Sequence, residues 1–267
     1  MLLRLSVAAV GIVAASAGSS FAAGLVPHEA VYELKLASQP ETIASVDARI
    51  ALQLKPDGCE GLSLDYRFVA RFHQSDEITV TDQQTLSRES RVGDRFEFET
   101  KTLVDGAPQE TVKGLAENAG GATRVAFTQP VERKAELALS NFPLHHTNVL
   151  IESALAGKRV VEAKIFDGDN EPDKNLTTTA LIVPAKTGEA NEPNVAIRDR
   201  VVGLRSWRVT ESYFNDDSNG DGLPIFETRY RLYENGVTDE LYMDFGDYAL
   251  AGKLGRLEYL PDAACTR

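Results

Sequence analysis

Asn235-Gly236 is the dipeptide that most narrows what this chain can fold into. It lies within residues 223–265, between two runs that alternate apolar and polar side chains. Asn-Gly suits the positive φ values of a two-residue hairpin turn. With Glu234 facing Val237, Tyr230 falls opposite Leu241, Thr228 opposite Met243 and Phe226 opposite Phe245. One face is then an apolar row against an apolar row, and the other sets Arg231 opposite Glu240. A slip of one residue would mix the faces, so turn and pattern specify one register.

Most of the chain reads the same way. Residues 30–36 and 46–54 alternate with period two, as half-buried strands do. Pro56-Asp57-Gly58 makes a turn just before Cys59, and Leu62, Leu64, Tyr66 and Phe68 line one face of a third strand. Segments 78–86, 95–104, 111–115 and 123–127 continue the meander, punctuated by Gly93-Asp94, Asp105-Gly106 and Gly120-Gly121. Strand patterning returns over 159–166, 177–183 and 204–214, the last around the only tryptophan, Trp207. The interval 184–194 is a polar loop.

One segment breaks the period. Residues 142–157 place Leu144, Thr147, Ile151 and Ala154 at helical spacing, with Leu155 beside them. Asn141 or Phe142 serves as cap, Pro143 fits a first turn, and Gly157 is a stop. The spacing predicts one helix over 143–156, packed by that stripe onto the sheet. The fold class is therefore mainly β.

Residues 1–22 carry the marks of an export signal: Arg4, an apolar run over 5–17, and Ser20-Phe21-Ala22 as a small-x-small cleavage site. Cleavage near Ala22 would leave 23–267 as a single domain in an oxidising compartment. No other stretch approaches the roughly 18–20 apolar residues that span a bilayer, and no cysteine follows the cleavage site to take a lipid anchor. Removing Arg4 shifts the net charge from −12 to −13. Such a balance opposes nucleic acid and anionic membrane surfaces as partners, and suits a soluble protein or one that meets basic partners.

Cys59 and Cys265 are the whole cysteine complement. In an exported chain an even pair reads as a disulfide, the alternative being two reactive thiols. Two cysteines are too few for a structural zinc site. Asp217, Asn219 and Asp221, followed by Gly222, match the opening of a calcium loop. The twelfth place holds Thr228 where a bidentate glutamate is needed, with Glu227 one position early, so a hairpin tip competes with a calcium site. His145 and His146 are adjacent and point about 100° apart on a helix, which opposes joint ligation of one metal. No nucleophile elbow, phosphate loop or metalloprotease motif is present. Glu97 and Glu99 share a strand face opposite Phe96 and Phe98, as a solvated face would. The expectation is a non-enzymatic protein without a cofactor. Phe226, Tyr230, Leu241, Met243 and Phe245, with Trp207, form an apolar wall that is either ordinary core or an open groove for acyl chains or amphipathic peptides.

Several features in order carry a family resemblance: Val26-Pro27-His28 with Tyr32, the turn 57–61 with Cys59, Phe142-Pro143 with His146, Phe166-Asp167-Gly168, Ser212-Tyr213-Phe214, Leu223-Pro224, the run 233–237, Phe245-Gly246-Asp247-Tyr248 and Cys265. Together they resemble the EipB-type cell-envelope-integrity family of alphaproteobacterial periplasmic proteins, over essentially all of 23–267. Leu144 departs from the small polar residue expected after Phe-Pro. The resemblance implies a β-spiral, a long antiparallel sheet curled almost into a barrel around a central helix, with a disulfide between Cys59 and Cys265. It implies a periplasmic role in envelope integrity, and a loose similarity to half-barrels that carry lipids or lipoproteins. The partner is then an envelope protein or peptide, or a lipid or lipoprotein, and no catalytic residues come with the family. A cryptic envelope hydrolase is the remaining class.

Overall fold

The alternation in the sequence becomes a meander of antiparallel strands. The computed structural model describes residues 24–38, 42–172, 175–185, 194–215, 218 and 222–265. The expected signal segment and most of the 184–194 loop lie outside these. The first half contributes β1 (His28–Ser38), β2 (Ile43–Asp57), β3 (Gly61–Gln74), β4 (Ile78–Ser90), β5 (Arg95–Val104), β6 (Ala107–Ala119), β7 (Ala122–Gln129) and β8 (Arg133–Ala138). Helix α1 (Pro143–Leu155) follows, then β9 (Val160–Lys164) and β10 (Thr177–Pro184). A short helix, α2 (Arg198–Val201), precedes β11 (Ser206–Phe214), β12 (Phe226–Tyr233), β13 (Thr238–Asp244) and β14 (Ala249–Tyr259). Neither α2 nor β8 is foreseen by the sequence reading, and β6 runs well beyond the expected 111–115.

The strands form one sheet in the order β8-β7-β6-β5-β4-β3-β2-β1-β14-β13-β12-β11-β10-β9. Every neighbour is sequential except at one junction, where β1 lies antiparallel to β14 from His28 beside Tyr259 to Ser38 beside Ala249. The two outer strands, β8 and β9, barely meet. Past the end of β8, the Asn141 N–H donates to the Lys164 carbonyl at 2.8 Å, and the Phe166 N–H to the Asn141 carbonyl at 3.0 Å. The sheet thus nearly closes into a barrel, with a seam between β8 and β9.

The β1–β14 junction is tightly built. At Gly252, opposite Leu34, a Cβ would meet the Glu33 carbonyl oxygen at 2.2 Å, so only glycine lets the backbones approach this closely. Tyr32 reaches past β14 to donate to the Thr238 carbonyl at 2.9 Å. Beyond β14 the disulfide joins Cys265 to Cys59 after β2, with Cα atoms 5.7 Å apart.

The β12–β13 hairpin departs from the expected turn. The Tyr233 N–H donates to the Val237 carbonyl at 2.9 Å, and the Gly236 N–H to the Tyr233 carbonyl at 2.9 Å. The loop is therefore three residues, Glu234-Asn235-Gly236, with Gly236 at φ +88, a type I turn closed by a bulge. The register near the turn is one residue off the expected one, and Arg231 pairs with Asp239, not Glu240. A second irregularity at Glu240, φ +56, restores it, so Thr228 does pair with Met243. The Arg231 guanidinium still reaches Glu240, at 3.1 Å. Asp239 accepts the Leu254 N–H at 2.8 Å, an amide beside the register shift in β14.

Helix α1 lies inside the curl. Leu150, Ile151 and Ala154 pack with Val161, Ala180, Ile182, Trp207, Val209 and Leu232 on one side and with Leu54 and Leu62 from β2 and β3. The buried stripe is His146, Leu150, Ile151, Ser153 and Ala154, while Leu144 and Thr147 are only half-buried. A helix enclosed by walls on more than one side has no single apolar stripe to read. Phe142 is the N-cap, buried against Phe96 with ring centroids 5.3 Å apart. Its side chain cannot cap. Glu89 on β4 does so, accepting the Leu144 N–H at 2.9 Å and the His145 N–H at 2.6 Å. Pro143 has no N–H, so this one carboxylate satisfies the open donors at N2 and N3. Leu144 needs no polar side chain at the helix entrance, because Glu89 takes the role.

Cys265→Ser should keep the fold but lower the stability measured in urea, by at most ~5 kcal/mol in the chain-entropy limit; wild type in reductant should match the variant. Glu89→Ala, stranding two buried N–H groups, should cost about 2–3 kcal/mol. Burial pushes the Glu89 carboxyl up to about 7, against the pull of the Leu144 and His145 N–H groups. The native state then holds a proton that the unfolded chain has released. Stability should fall as pH rises from about 4.5 toward 7, and Glu89→Gln should remove that slope in urea titrations.

Candidate functional site

The interior is not filled evenly. On β4 the inward residues Thr79, Thr81, Gln83 and Thr85 are polar, beside Phe72, Ala70, Phe68 and Tyr66 on β3. An aromatic row runs from Tyr213 through Phe226, Phe245 and Tyr248 to Phe72 on β3, with successive centroids 5.5, 5.1, 4.9 and 5.4 Å apart. Gln83 from the polar row and Tyr213, Phe226 and Phe245 from the aromatic row line a cavity of about 630 Å³ against the first turns of α1. Its apolar lining includes Leu150, Ile225, Phe226, Tyr230 and Phe245, and its polar lining includes Gln83, His146, Asp167, Asp169 and Glu211.

Helix and sheet position a buried polar cluster on the cavity floor. Trp207, Val209, Glu211 and Tyr213 alternate along one face of β11, which points Glu211 inward. Its Oε1 lies 2.6 Å from His146 Nε2 and accepts the Thr178 hydroxyl at 3.1 Å. Its Oε2 accepts the Tyr230 hydroxyl at 2.8 Å. Only 2% of the Glu211 side chain and 7% of that of His146 is exposed. Burial alone would raise the Glu211 carboxyl, but His146, Tyr230 and Thr178 together hold it below its ordinary value. Glu211 is then an acceptor on both oxygens, and His146 Nε2 carries the proton. Burial first, and the Glu211 charge second, push the Tyr230 hydroxyl well up, keeping it a donor.

At the cavity's edge Asp167 and Asp169 follow β9. Both side chains are exposed where they border the void.

Of the expected wall, Phe226, Tyr230 and Phe245 line the cavity. Leu241 and Met243 are half-buried against the β1–β2–β14 core. Trp207 is 5% exposed in the helix-packing core and does not line the cavity. His145 sits against Gly93, away from it. Asp217, Asn219 and Asp221 lie outside the described residues. Among the described residues no three His, Cys, Asp or Glu side chains converge as metal ligands, and no helix is long and apolar enough to cross a membrane. The cavity acids escape a motif search. Their signal was an acid at a strand position whose neighbours on the same face are apolar: Glu211 between Val209 and Tyr213.

The comparisons agree with this fold. The EipB-like family profile matches residues 19–261. Cell envelope integrity protein EipB of Brucella abortus (strain 2308) is 33% identical over 248 residues, covering 92% of this chain and 88% of that protein. A crystal structure of a beta-barrel-like protein of a domain of unknown function, also from Brucella abortus, superposes with a TM-score of 0.82 at 33% identity. That likeness covers 89% of this chain and 99% of the other.

Glu211→Leu would strand the His146, Tyr230 and Thr178 donors, and should destabilise by about 3–5 kcal/mol in urea unfolding. Because Glu211 is held low, its contribution is present at neutral pH and lost as pH falls through its folded value. The variant should lack that part of the acid transition.

Proposed function

The chain belongs to the EipB-like family, and from that premise we propose that it is an exported, non-enzymatic protein that supports cell-envelope integrity by holding an apolar chain of a partner in its lumen. The observation that carries this reading is the cavity of about 630 Å³ beside α1, whose aromatic row is left half-buried. Half-buried aromatics facing a void are surface awaiting a ligand. Export is supported by the pattern over 1–22 and by the disulfide, which suits an oxidising compartment. The name of the Brucella abortus relative supports the envelope role.

The absence of catalysis rests on how the polar cluster is used. The Thr178 and Tyr230 hydroxyls both donate to Glu211, which leaves neither placed as a nucleophile activated by His146. A lipid or lipoprotein chain fits the depth and lining best. An extended peptide is a second reading, favoured by the seam, where β8 and β9 each have a strand neighbour on one side only.

The test is native mass spectrometry of the protein purified from envelope-containing extracts. We expect an adduct of lipid or acylated-peptide mass on wild type. Thr147→Phe places a ring into the cavity from a half-buried helix position; it should lose the adduct while keeping the thermal midpoint. Wild type with no adduct, and no uptake of acyl chains added afterwards, would sink the proposal.

A further inference from the structure

The polar groups around the cavity are unequal in kind. Apart from the Gln83 amide, the side-chain donors are committed within the protein. His146 Nε2 and the Thr178 and Tyr230 hydroxyls go to Glu211, toward which the Tyr213 hydroxyl is also turned. The Thr147 hydroxyl donates to the Pro143 carbonyl at 3.1 Å, and Pro143 itself has no N–H. What is left consists mainly of acceptors. Asp167 and Asp169 each accept one backbone N–H, from Asp169 at 3.1 Å and Glu171 at 2.8 Å, and a carboxylate has capacity for more. His146 Nδ1 is buried and has no partner among the described residues.

Charge points the same way. Glu211, Asp167 and Asp169 all line the cavity, and no lysine or arginine lines it among the described residues. Three carboxylates and one imidazole, set among Leu150, Phe226 and Phe245, make an acidic cavity in apolar walls. A fatty carboxylate would enter against repulsion and find few donors. An ammonium brings three N–H donors and the missing positive charge.

We infer that the lumen selects an amphiphile with an apolar chain and an amine head, the chain lying along Phe226, Tyr230 and Phe245 and the head held by Asp167 and Asp169. This rests on the lumen-binding reading above and adds the chemistry of the ligand.

The experiment is isothermal titration calorimetry of the full exported chain, delipidated and below micelle-forming concentrations, with dodecylammonium, dodecanoate and dodecanol. Dodecylammonium should bind at one site at least about tenfold tighter than dodecanoate, a ratio set by the sign of the head group alone. Asp167→Asn with Asp169→Asn should bring that ratio to within about threefold. Glu60→Gln with Glu258→Gln removes two exposed carboxylates elsewhere and should leave it unchanged, which separates the site from general attraction to an acidic protein. Dodecanoate binding as tightly as dodecylammonium would overturn amine selection while leaving lumen binding intact. So would a preference that survives the Asp167/Asp169 pair, or one lost equally in the control pair. Binding of none of the three would overturn the lumen reading and this inference together.

Discussion

Everything else in the structure depends on β1 lying against β14. All other strand pairings join neighbours in sequence, whereas this one joins the two ends of the chain. Closing so long a loop is entropically costly and slow, and the structure reinforces that junction more than any other. Gly252 lets the backbones approach, and Tyr32 ties β1 to β13. The Leu260 N–H donates to the Pro27 carbonyl at 2.9 Å, and the Val26 N–H to that of Asn235 at 3.0 Å. The disulfide then links two residues 206 positions apart. With the ends fused, the free edges are forced to the middle of the chain. There β8 and β9 are connected through α1, and that connection puts the helix inside.

A helix inside a curled sheet cannot leave its polar groups to water, and two carboxylates hold it from different strands. Glu89 on β4 meets the amides of Leu144 and His145, and Glu211 on β11 meets the side chain of His146, the next residue along. Their environments push in opposite directions. Glu89 has two backbone donors against its burial and is driven up; Glu211 has an imidazole and two hydroxyls and is held down. Together they fix both the position of α1 along its axis and its rotation, which sets how much of the lumen the helix leaves open.

Much of this was legible in the sequence, for a definite reason. Period-two alternation with glycine-rich turns specifies an antiparallel meander, and 143–156 announced a helix through Pro143 and Gly157. The hairpin at Asn235 failed by one residue because two bulges that cancel, at Gly236 and Glu240, leave the distant register intact, so Thr228 and Met243 gave no warning. β8 went unseen because Arg133, Lys134 and Glu136 make it charged, as an edge strand is when its open side must not recruit another chain. Trp207 was grouped with Phe226 and Phe245 on apolarity alone. Along β11 and β12 the inner face passes from helix-covered to open, and a linear pattern carries no mark of where that change occurs. Glu89 and Glu211 were hidden because each satisfies a partner far away in sequence, His146 being 65 positions from Glu211.

Why the lumen stays open, when protein interiors otherwise fill, follows from β4. Had α1 or a neighbouring wall collapsed onto it, Thr79, Thr81, Gln83 and Thr85 would have been driven out of water with few partners. Thr85 has one in Thr100, at 3.0 Å. Each unsatisfied hydroxyl or amide costs roughly 1–3 kcal/mol in such a setting. Burying the facing aromatics would return about 25 cal/mol per Å², so closure gains on one wall what it loses on the other. A core built for packing alone would have placed valine or leucine along β4. The polar row opposes collapse of this wall, and of its members Gln83 lines the cavity.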